Sequence, residues 1–239
     1  MQPTFQLVVF DMAGTTIQDN SNVAEAFMYA MQKHGYPISK EQADKVMGYK
    51  KIIAINDLLQ TNYPGIKEIE NLINEIHDTF IETMIDFYEH AKEILPMESA
   101  ESIFKWLKDN DIKVALNTGF SKLITDTILE RVGWHYNSLI DFIISSDEVE
   151  GGRPSADMIQ AIMKATGITD AATVVKVGDT EVDIAEGRTA GCGLVVSVTT
   201  GSFTRDQLQS YLPEALLHEC VWISFIISKK VECYPHKLK

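Results

Sequence analysis

Phe5-Gln6-Leu7-Val8-Val9-Phe10-Asp11-Met12-Ala13-Gly14-Thr15-Thr16 is an apolar, partly β-branched run that stops at a carboxylate. Such a run, closed by turn residues, is the signature of a strand buried on both faces of a parallel sheet. The reading places a strand over Phe5–Phe10, with Asp11 at its carboxyl end and Gly14 and the threonines in a turn. In open α/β sheets, ligands bind just outside the carboxyl ends of the strands. A single Asp after a strand is more often a turn or capping residue. The rest of the chain decides whether this one has company.

Beyond Thr16 the pattern changes. From Ser21 to Ala91, apolar residues recur at helical spacing: Val23, Phe27, Ala30 and Met31, then Ile52, Ile55, Leu58 and Leu59. Ser39 with Gln42 forms a capping-box signature that predicts a helix start, and Gly35 with Pro37 ends the helix before it. A long amphipathic helix is predicted from Ile66 to about His90, after a turn at Pro64-Gly65. Strands and helices then alternate. Strands are predicted at 112–116, 139–144, 173–177 and 194–198, and helices at 98–109 (Ile103, Trp106 and Leu107 inward), 121–132, 155–165 and 181–190. This alternation predicts an α/β fold, a doubly wound parallel sheet interrupted by a helical insert. Cys220–Ile227 reads as a further, edge strand, and Lys229–Lys239 as a frayed end.

Composition limits the function. The 239 residues carry a formal net charge of −13, which opposes nonspecific contact with nucleic acid or an anionic membrane. No run is long enough to span a bilayer. An anionic substrate would need a local cluster of cations or a metal ion. Cys192, Cys220 and Cys233 follow no zinc or disulfide spacing, and a reducing cytoplasm is the simpler expectation.

Polar groups suited to a shared chemistry stand at four predicted strand ends. They are Asp11, then Thr118-Gly119, then Arg153 in a Gly-Gly-Arg-Pro loop, then Gly178-Asp179 followed by Asp183. Asp11 and Asp179 would repel one another unless a hard cation joined them, and Mg²⁺ takes one or two carboxylates together with a substrate phosphate. Thr118 offers a hydroxyl to a phosphoryl oxygen, and Gly119 leaves room for backbone N–H donors. Arg153 can hold an anion and counter the charge of Asp11. Asp11 is then placed to attack phosphorus and form an aspartyl-phosphate.

This ordered set resembles the haloacid dehalogenase superfamily. There a nucleophilic Asp follows the first strand, Thr or Ser follows a second, Lys or Arg precedes a loop, and an acidic pair follows a later strand. The resemblance spans Phe5 to Gly201. It implies a Rossmann-like core over residues 1–17 and 95–239, with a helical cap domain at 18–94. It also implies Mg²⁺ held by Asp11, the Ala13 backbone carbonyl and Asp179, with Asp183 behind them. Phosphatase members carry a second Asp two places after the nucleophile, where this chain has Ala13. The Asp-x-Ala-Gly-Thr form with Arg153 resembles the phosphonoacetaldehyde hydrolase branch. In that branch a lysine after Met-Gly-x-x forms a Schiff base with the substrate aldehyde, a place held here by Lys51 in Met47-Gly48-Tyr49-Lys50-Lys51. Carbon leaves phosphorus poorly, so an iminium electron sink makes the chemistry coherent. Two positions depart from the branch: Ala54 replaces a His three places after the lysine, and Phe120 replaces a Tyr after Thr-Gly. The resemblance is thus to phosphonatase-like relatives and leaves the substrate open.

Three functional readings stand at this point: C–P hydrolysis of phosphonoacetaldehyde or a close phosphonate through Asp11 and Lys51; hydrolysis of a small phosphate ester; and a phosphate-binding module that has lost turnover with the Asp at position 13. The partner is a small-molecule phosphonate or phosphate ester, and a homodimer through the cap is implied by resemblance only. Lys50 rivals Lys51, Thr15 either ties its turn or lines the phosphate pocket, and Thr16 is expected to be structural. Asp183, four places after Asp179, could instead balance a helix N-terminus. Lys176 is expected along a strand edge, Met12 at the pocket or in packing, and the histidines and cysteines outside the chemistry.

Overall fold

The computed structural model describes residues 5–66, 69–135 and 138–228. It opens with β1 (Leu7–Asp11) and continues with four helices: α1 (Asn22–Lys33), α2 (Lys40–Asp44), α3 (Lys51–Asn62) and α4 (Ile69–His90). The alternating part follows: α5 (Ala100–Asp109), β2 (Lys113–Thr118), α6 (Lys122–Arg131), β3 (Phe142–Ser145), α7 (Asp157–Thr166), β4 (Val174–Gly178), α8 (Glu181–Thr189) and β5 (Leu194–Val198). The described chain ends with α9 (Arg205–Ser210), β6 (Ala215–Leu217) and α10 (Ile223–Ser228).

The strands form one all-parallel sheet in the order β3-β2-β1-β4-β5-β6. Every residue of β1, β4 and β5 is buried, which is why these strands read as unbroken apolar runs. The chain turns back in direction between β1 and β4, the place where doubly wound sheets open a crevice. Register puts Asp11 opposite Asn117 of β2, and Phe10 opposite Val177 of β4. Asp11, Thr118 and Asp179 therefore emerge from three adjacent strands.

Helix starts follow local chemistry. Ser39 and Gln42 make the expected reciprocal capping box on α2. Ser121 holds the cap position of α6 without capping; the Lys122 N–H donates instead to Asp147 Oδ1 at 2.8 Å. α7 begins two residues after Ser155, with Ala156 in the cap position. Under the sheet, α5 buries Ile103, Phe104 and Leu107, and Phe104 packs edge-on to Phe10 and Trp134. Trp106, expected inward, is only half-buried, because the inward stripe of this helix runs through position 104.

Two sequence expectations are overturned. Cys220–Ile227 is a 3-10 turn, Cys220–Trp222, running into α10. Cys220 and Ile223 are buried while Trp222 and Phe225 are exposed, a spacing of three that a strand could not give; the edge strand is β6. Lys176 does not lie along an edge: β4 pairs with β1 and β5, and Lys176 is wholly buried. The expectation for Lys229–Lys239 lies outside the described residues.

The helices after β1 pack on each other through α1 and α4, with Phe27 and Phe80 ring centroids 4.6 Å apart. Arg131 of α6 donates to the carbonyls of Tyr88, Glu89 and Ala91, fixing the end of α4 to the sheet layer. Among the described residues, no helix is long and apolar enough to cross a membrane.

Candidate active site

The floor of the site is built on the turn after β1. Gly14 has φ +86°, and a Cβ there would come within 2.8 Å of both Asp179 Oδ2 and the Gly201 backbone. Glycine lets the turn close against those neighbours. Thr16 donates to the Asp11 carbonyl at 2.9 Å and serves the turn. Thr15 reaches the site itself, donating to Asp179 Oδ1 at 3.2 Å. The second oxygen of Asp179 accepts the Ser202 N–H at 2.7 Å. Ser202 was not singled out from sequence, although the Thr199-Thr200-Gly201 turn after β5 was the available signal. Met12 is wholly buried in the core.

Arg153, on the loop before α7, is fully buried against Asp11. One Nη donates to Asp11 Oδ1 at 2.5 Å, and the other donates to the Asn117 carbonyl at 2.8 Å and side-chain oxygen at 2.6 Å. Asp183 and Glu186 of α8 stand within ion-pair distance of the same guanidinium, and Lys176 faces both. Sequence reasoning missed Asn117 and Glu186 because neither marks a motif on its own. Asp183 closes the α8 capping box on the cap residue Thr180, accepting from the Thr180 O–H at 2.7 Å and N–H at 3.2 Å.

Electrostatics separates these carboxylates. Burial alone would raise Asp183, yet Arg153 and Lys176 hold it below the ordinary range. Asp179 is pushed well up by burial, and then by the charges of Asp11 and Asp183. Asp11 is raised by burial, with Arg153 opposing. The two buried cations Arg153 and Lys176 are matched by Asp183 and Glu186. By charge count Asp11 and Asp179 are left in excess at the crevice, although Asp11 also contacts Arg153. Oxygens of Asp11, Asp179 and Asp183 lie within 4.8 Å of one another. This hard, all-oxygen set with excess negative charge fits a small divalent cation such as Mg²⁺.

The roof comes from the helical insert. Gly48 and Tyr49 bring their carbonyls over Gly119, where a Cβ would stand 2.7 and 2.6 Å from them. The Thr118 hydroxyl oxygen accepts from the Phe120 N–H, and Ser146 holds the carbonyls of Gly119 and Phe120. Lys51, the first residue of α3, is only 4% exposed. Its amine donates to the Tyr49 carbonyl at 3.3 Å and lies 5.1 Å from the Phe120 ring centroid and 5.5 Å from that of Phe27. Among the described residues it makes no salt bridge. Burial lowers its pKa to about 8. Ala54, one turn on, is wholly buried and apolar. Lys50 points the other way, donating to the carbonyls of Val149 and Glu150 at 3.1 Å. Tyr49 donates its hydroxyl to Glu181 of α8 at 3.1 Å. Floor and roof line a narrow, partly open cavity formed by Asp11, Ala13, Lys51, Thr118, Gly119, Phe120 and Asp179, with free space of about 20 Å³, near that of one water.

A family model described as haloacid dehalogenase-like hydrolase matches residues 8–197. The chain belongs to the haloacid dehalogenase-like hydrolases. Among relatives of this hydrolase, the phosphonoacetaldehyde hydrolase of Bacillus cereus (strain B4264) is 28% identical over 220 residues, covering 86% of this chain and 81% of the relative. The fold matches that of a phosphonoacetaldehyde hydrolase-like protein from Oleispira antarctica, with TM-score 0.80, 20% identity, and coverage of 95% and 93% of the two chains. It also matches a protein from Lactobacillus delbrueckii subsp. bulgaricus assigned as a phosphoglycolate phosphatase, with TM-score 0.73, 18% identity, and coverage of 94% and 98%. The parallel α/β sheet and the family agree with the reading from sequence.

Proposed function

We propose that this hydrolase cleaves the C–P bond of phosphonoacetaldehyde or a closely related phosphonate, with Asp11 as nucleophile and Lys51 as the imine-forming amine. The observation that carries the reading is Lys51: an amine buried between two aromatic rings, beside the nucleophile's cavity, with its pKa drawn down to about 8. Desolvation of that kind is how an enzyme turns lysine into a nucleophile near neutral pH.

The neutral Lys51 amine adds to the aldehyde carbon, water departs, and the resulting imine takes up a proton from solvent to become an iminium. A carboxylate oxygen of Asp11 attacks phosphorus; the P–C bond breaks, and its electron pair moves to carbon, giving a neutral enamine. Protonation at carbon and hydrolysis release acetaldehyde and free Lys51. Water then hydrolyses the aspartyl-phosphate to phosphate. Thr118, Gly119 and Thr15 bind and orient the phosphoryl oxygens, and Arg153 fixes Asp11. Asp11, Asp179 and the Ala13 carbonyl would hold Mg²⁺, with Asp183 behind them; the bound ion supplies the positive charge that lets two carboxylates and a phosphonate share one crevice. Ala13 offers no carboxylic acid to protonate an ester oxygen, which carbon as leaving group does not require. Residues 18–94 act as a cap domain over a core of 1–17 and 95–239. Opening and closing of the cap over this narrow cavity would admit substrate and exclude water during reaction.

A second reading, small phosphate-ester hydrolysis, keeps the Asp11 chemistry and gives Lys51 no part. Its support is the fold likeness to the Lactobacillus protein and the apolar Ala54 and Phe120 at the roof. Lys51→Ala separates the two. Phosphate release from phosphonoacetaldehyde should fall at least about 10³-fold, while p-nitrophenyl phosphate hydrolysis should change less than about tenfold. Equal losses on both substrates would remove the imine and leave Lys51 a structural lysine.

A further inference from the structure

Lys176 and Glu186 take no part in the chemistry above, yet both are completely buried beside it. Three oxygens each face two cations. Asn117 Oδ1 accepts from Arg153 at 2.6 Å and Lys176 at 2.7 Å. Asp183 Oδ1 lies 3.2 Å from Arg153 Nη1 and 3.0 Å from Lys176 Nζ. Glu186 Oε2 lies 3.1 Å from both Arg153 Nε and Lys176 Nζ. Lys176 hydrogen-bonds Asn117 Oδ1, and its contacts with Asp183 Oδ1 and Glu186 Oε2 are ion pairs. Arg153 also reaches the Asn117 carbonyl and Asp11. Asn117 Nδ2 donates to the other Glu186 oxygen at 2.8 Å, fixing that carboxylate. The backbone makes room for the arrangement. Gly187, inside α8, faces the Lys176 stem, and a Cβ there would stand 2.9 Å from Lys176 Cβ. Glycine is otherwise unfavourable in a helix interior relative to alanine.

We propose that Lys176 and Glu186 are positioning residues: together they hold the Arg153 guanidinium so that one edge stays on the nucleophile. Lys176 shares the pull of Asp183 and Glu186. Without it, both carboxylates act on Arg153 alone and draw it off Asp11. Glu186 places its charge 3.1 Å from Nε and so holds that end of the guanidinium in the cluster. The proposal rests on Asp11 being the nucleophile and is indifferent to whether the substrate is a phosphonate or an ester.

The test compares Lys176→Met, Glu186→Gln and the double variant, measuring phosphate release and thermal unfolding with Asp11→Asn alongside. Lys176→Met should lower kcat about 100-fold, the usual effect of a misplaced catalytic contact, with KM within about threefold. The double variant restores the charge balance, so its Tm should recover while kcat stays at least about tenfold down. Glu186→Gln alone unbalances the cluster from the other side, so it should lower kcat about tenfold and lower Tm as Lys176→Met does. Normal kcat in the double variant or in Glu186→Gln would overturn the proposal and leave the pair as ordinary buried charges. A crystal structure of Lys176→Met needs no substrate: Arg153 should have left Asp11, and an unchanged contact also overturns it. If Asp11→Asn keeps its turnover, the nucleophile reading falls instead.

Discussion

The floor and the roof of this cavity treat charge in opposite ways. On the floor, Arg153, Lys176, Asp183 and Glu186 are buried in near-complete mutual contact, and each cation has several fixed oxygen partners. On the roof, Lys51 is buried with one carbonyl and two aromatic faces. A buried cation among carboxylates stays charged; a buried cation against rings becomes easier to deprotonate. Arg153 and Lys51 show both cases beside the same Asp11: Arg153 is held above its ordinary range despite burial, by Asp183, Asp11 and Glu186, while burial takes Lys51 down to about 8. The floor is built to hold charge still, and the roof to let a proton go.

Breaking the floor should have the largest effect. Asp11→Asn should stop phosphate release, by about 10⁴-fold or more, yet an imine should still form at Lys51, because the roof is untouched. Phosphate assay and imine trapping on the same variant check this. Next comes the junction of the two regions. Gly119→Ala places a methyl group against the carbonyls of Gly48 and Tyr49, so the segment carrying Lys51 must lift. C–P turnover should fall about 100-fold, and p-nitrophenyl phosphate hydrolysis much less; equal losses would mean that the roof has no separate role.

The roof also has its own pH signature. Below a pKa of about 8, Lys51 is protonated and cannot attack, so C–P turnover should fall about tenfold per pH unit as pH drops. It should level off above pH 8, and Asp11-dependent ester hydrolysis should show no break there. Stability gives the smallest effect. Between about 8 and 10.5 the unfolded chain holds a proton on Lys51 that the folded one has lost. Stability therefore rises with pH across that window, and the cost of burying the charge is fully present at pH 7. Lys51→Met should then stabilise the protein at pH 7 by about 2 kcal/mol while abolishing C–P cleavage, as denaturant titration would measure.

Sequence disclosed the two regions unequally, for physical reasons. Asp11, Thr118, Arg153 and Asp179 were legible because a parallel sheet sends each to the same edge, and their order along the chain is distinctive. The choice between Lys50 and Lys51 was one residue wide. The start of α3 turns Lys51 inward and Lys50 onto the Val149–Glu150 carbonyls, which supports Lys51 in the proposed role. Lys176 was misjudged because strand position alone does not say whether a strand is central or at an edge; strand order does. Cys220–Ile227 is a short apolar run of the kind for which strand and helix periodicities cannot be told apart. The partners of Lys51, Phe27 and Phe120, lie far apart in sequence and meet only when the insert packs on the core.

The most direct test of the account is intact-mass analysis after incubating the protein with phosphonoacetaldehyde, Mg²⁺ and borohydride, followed by peptide mapping. Borohydride reduces an imine to a stable amine, so the account predicts a two-carbon adduct confined to Lys51. A folded, Mg²⁺-loaded protein with no adduct, or with its adduct on Lys50, would contradict it.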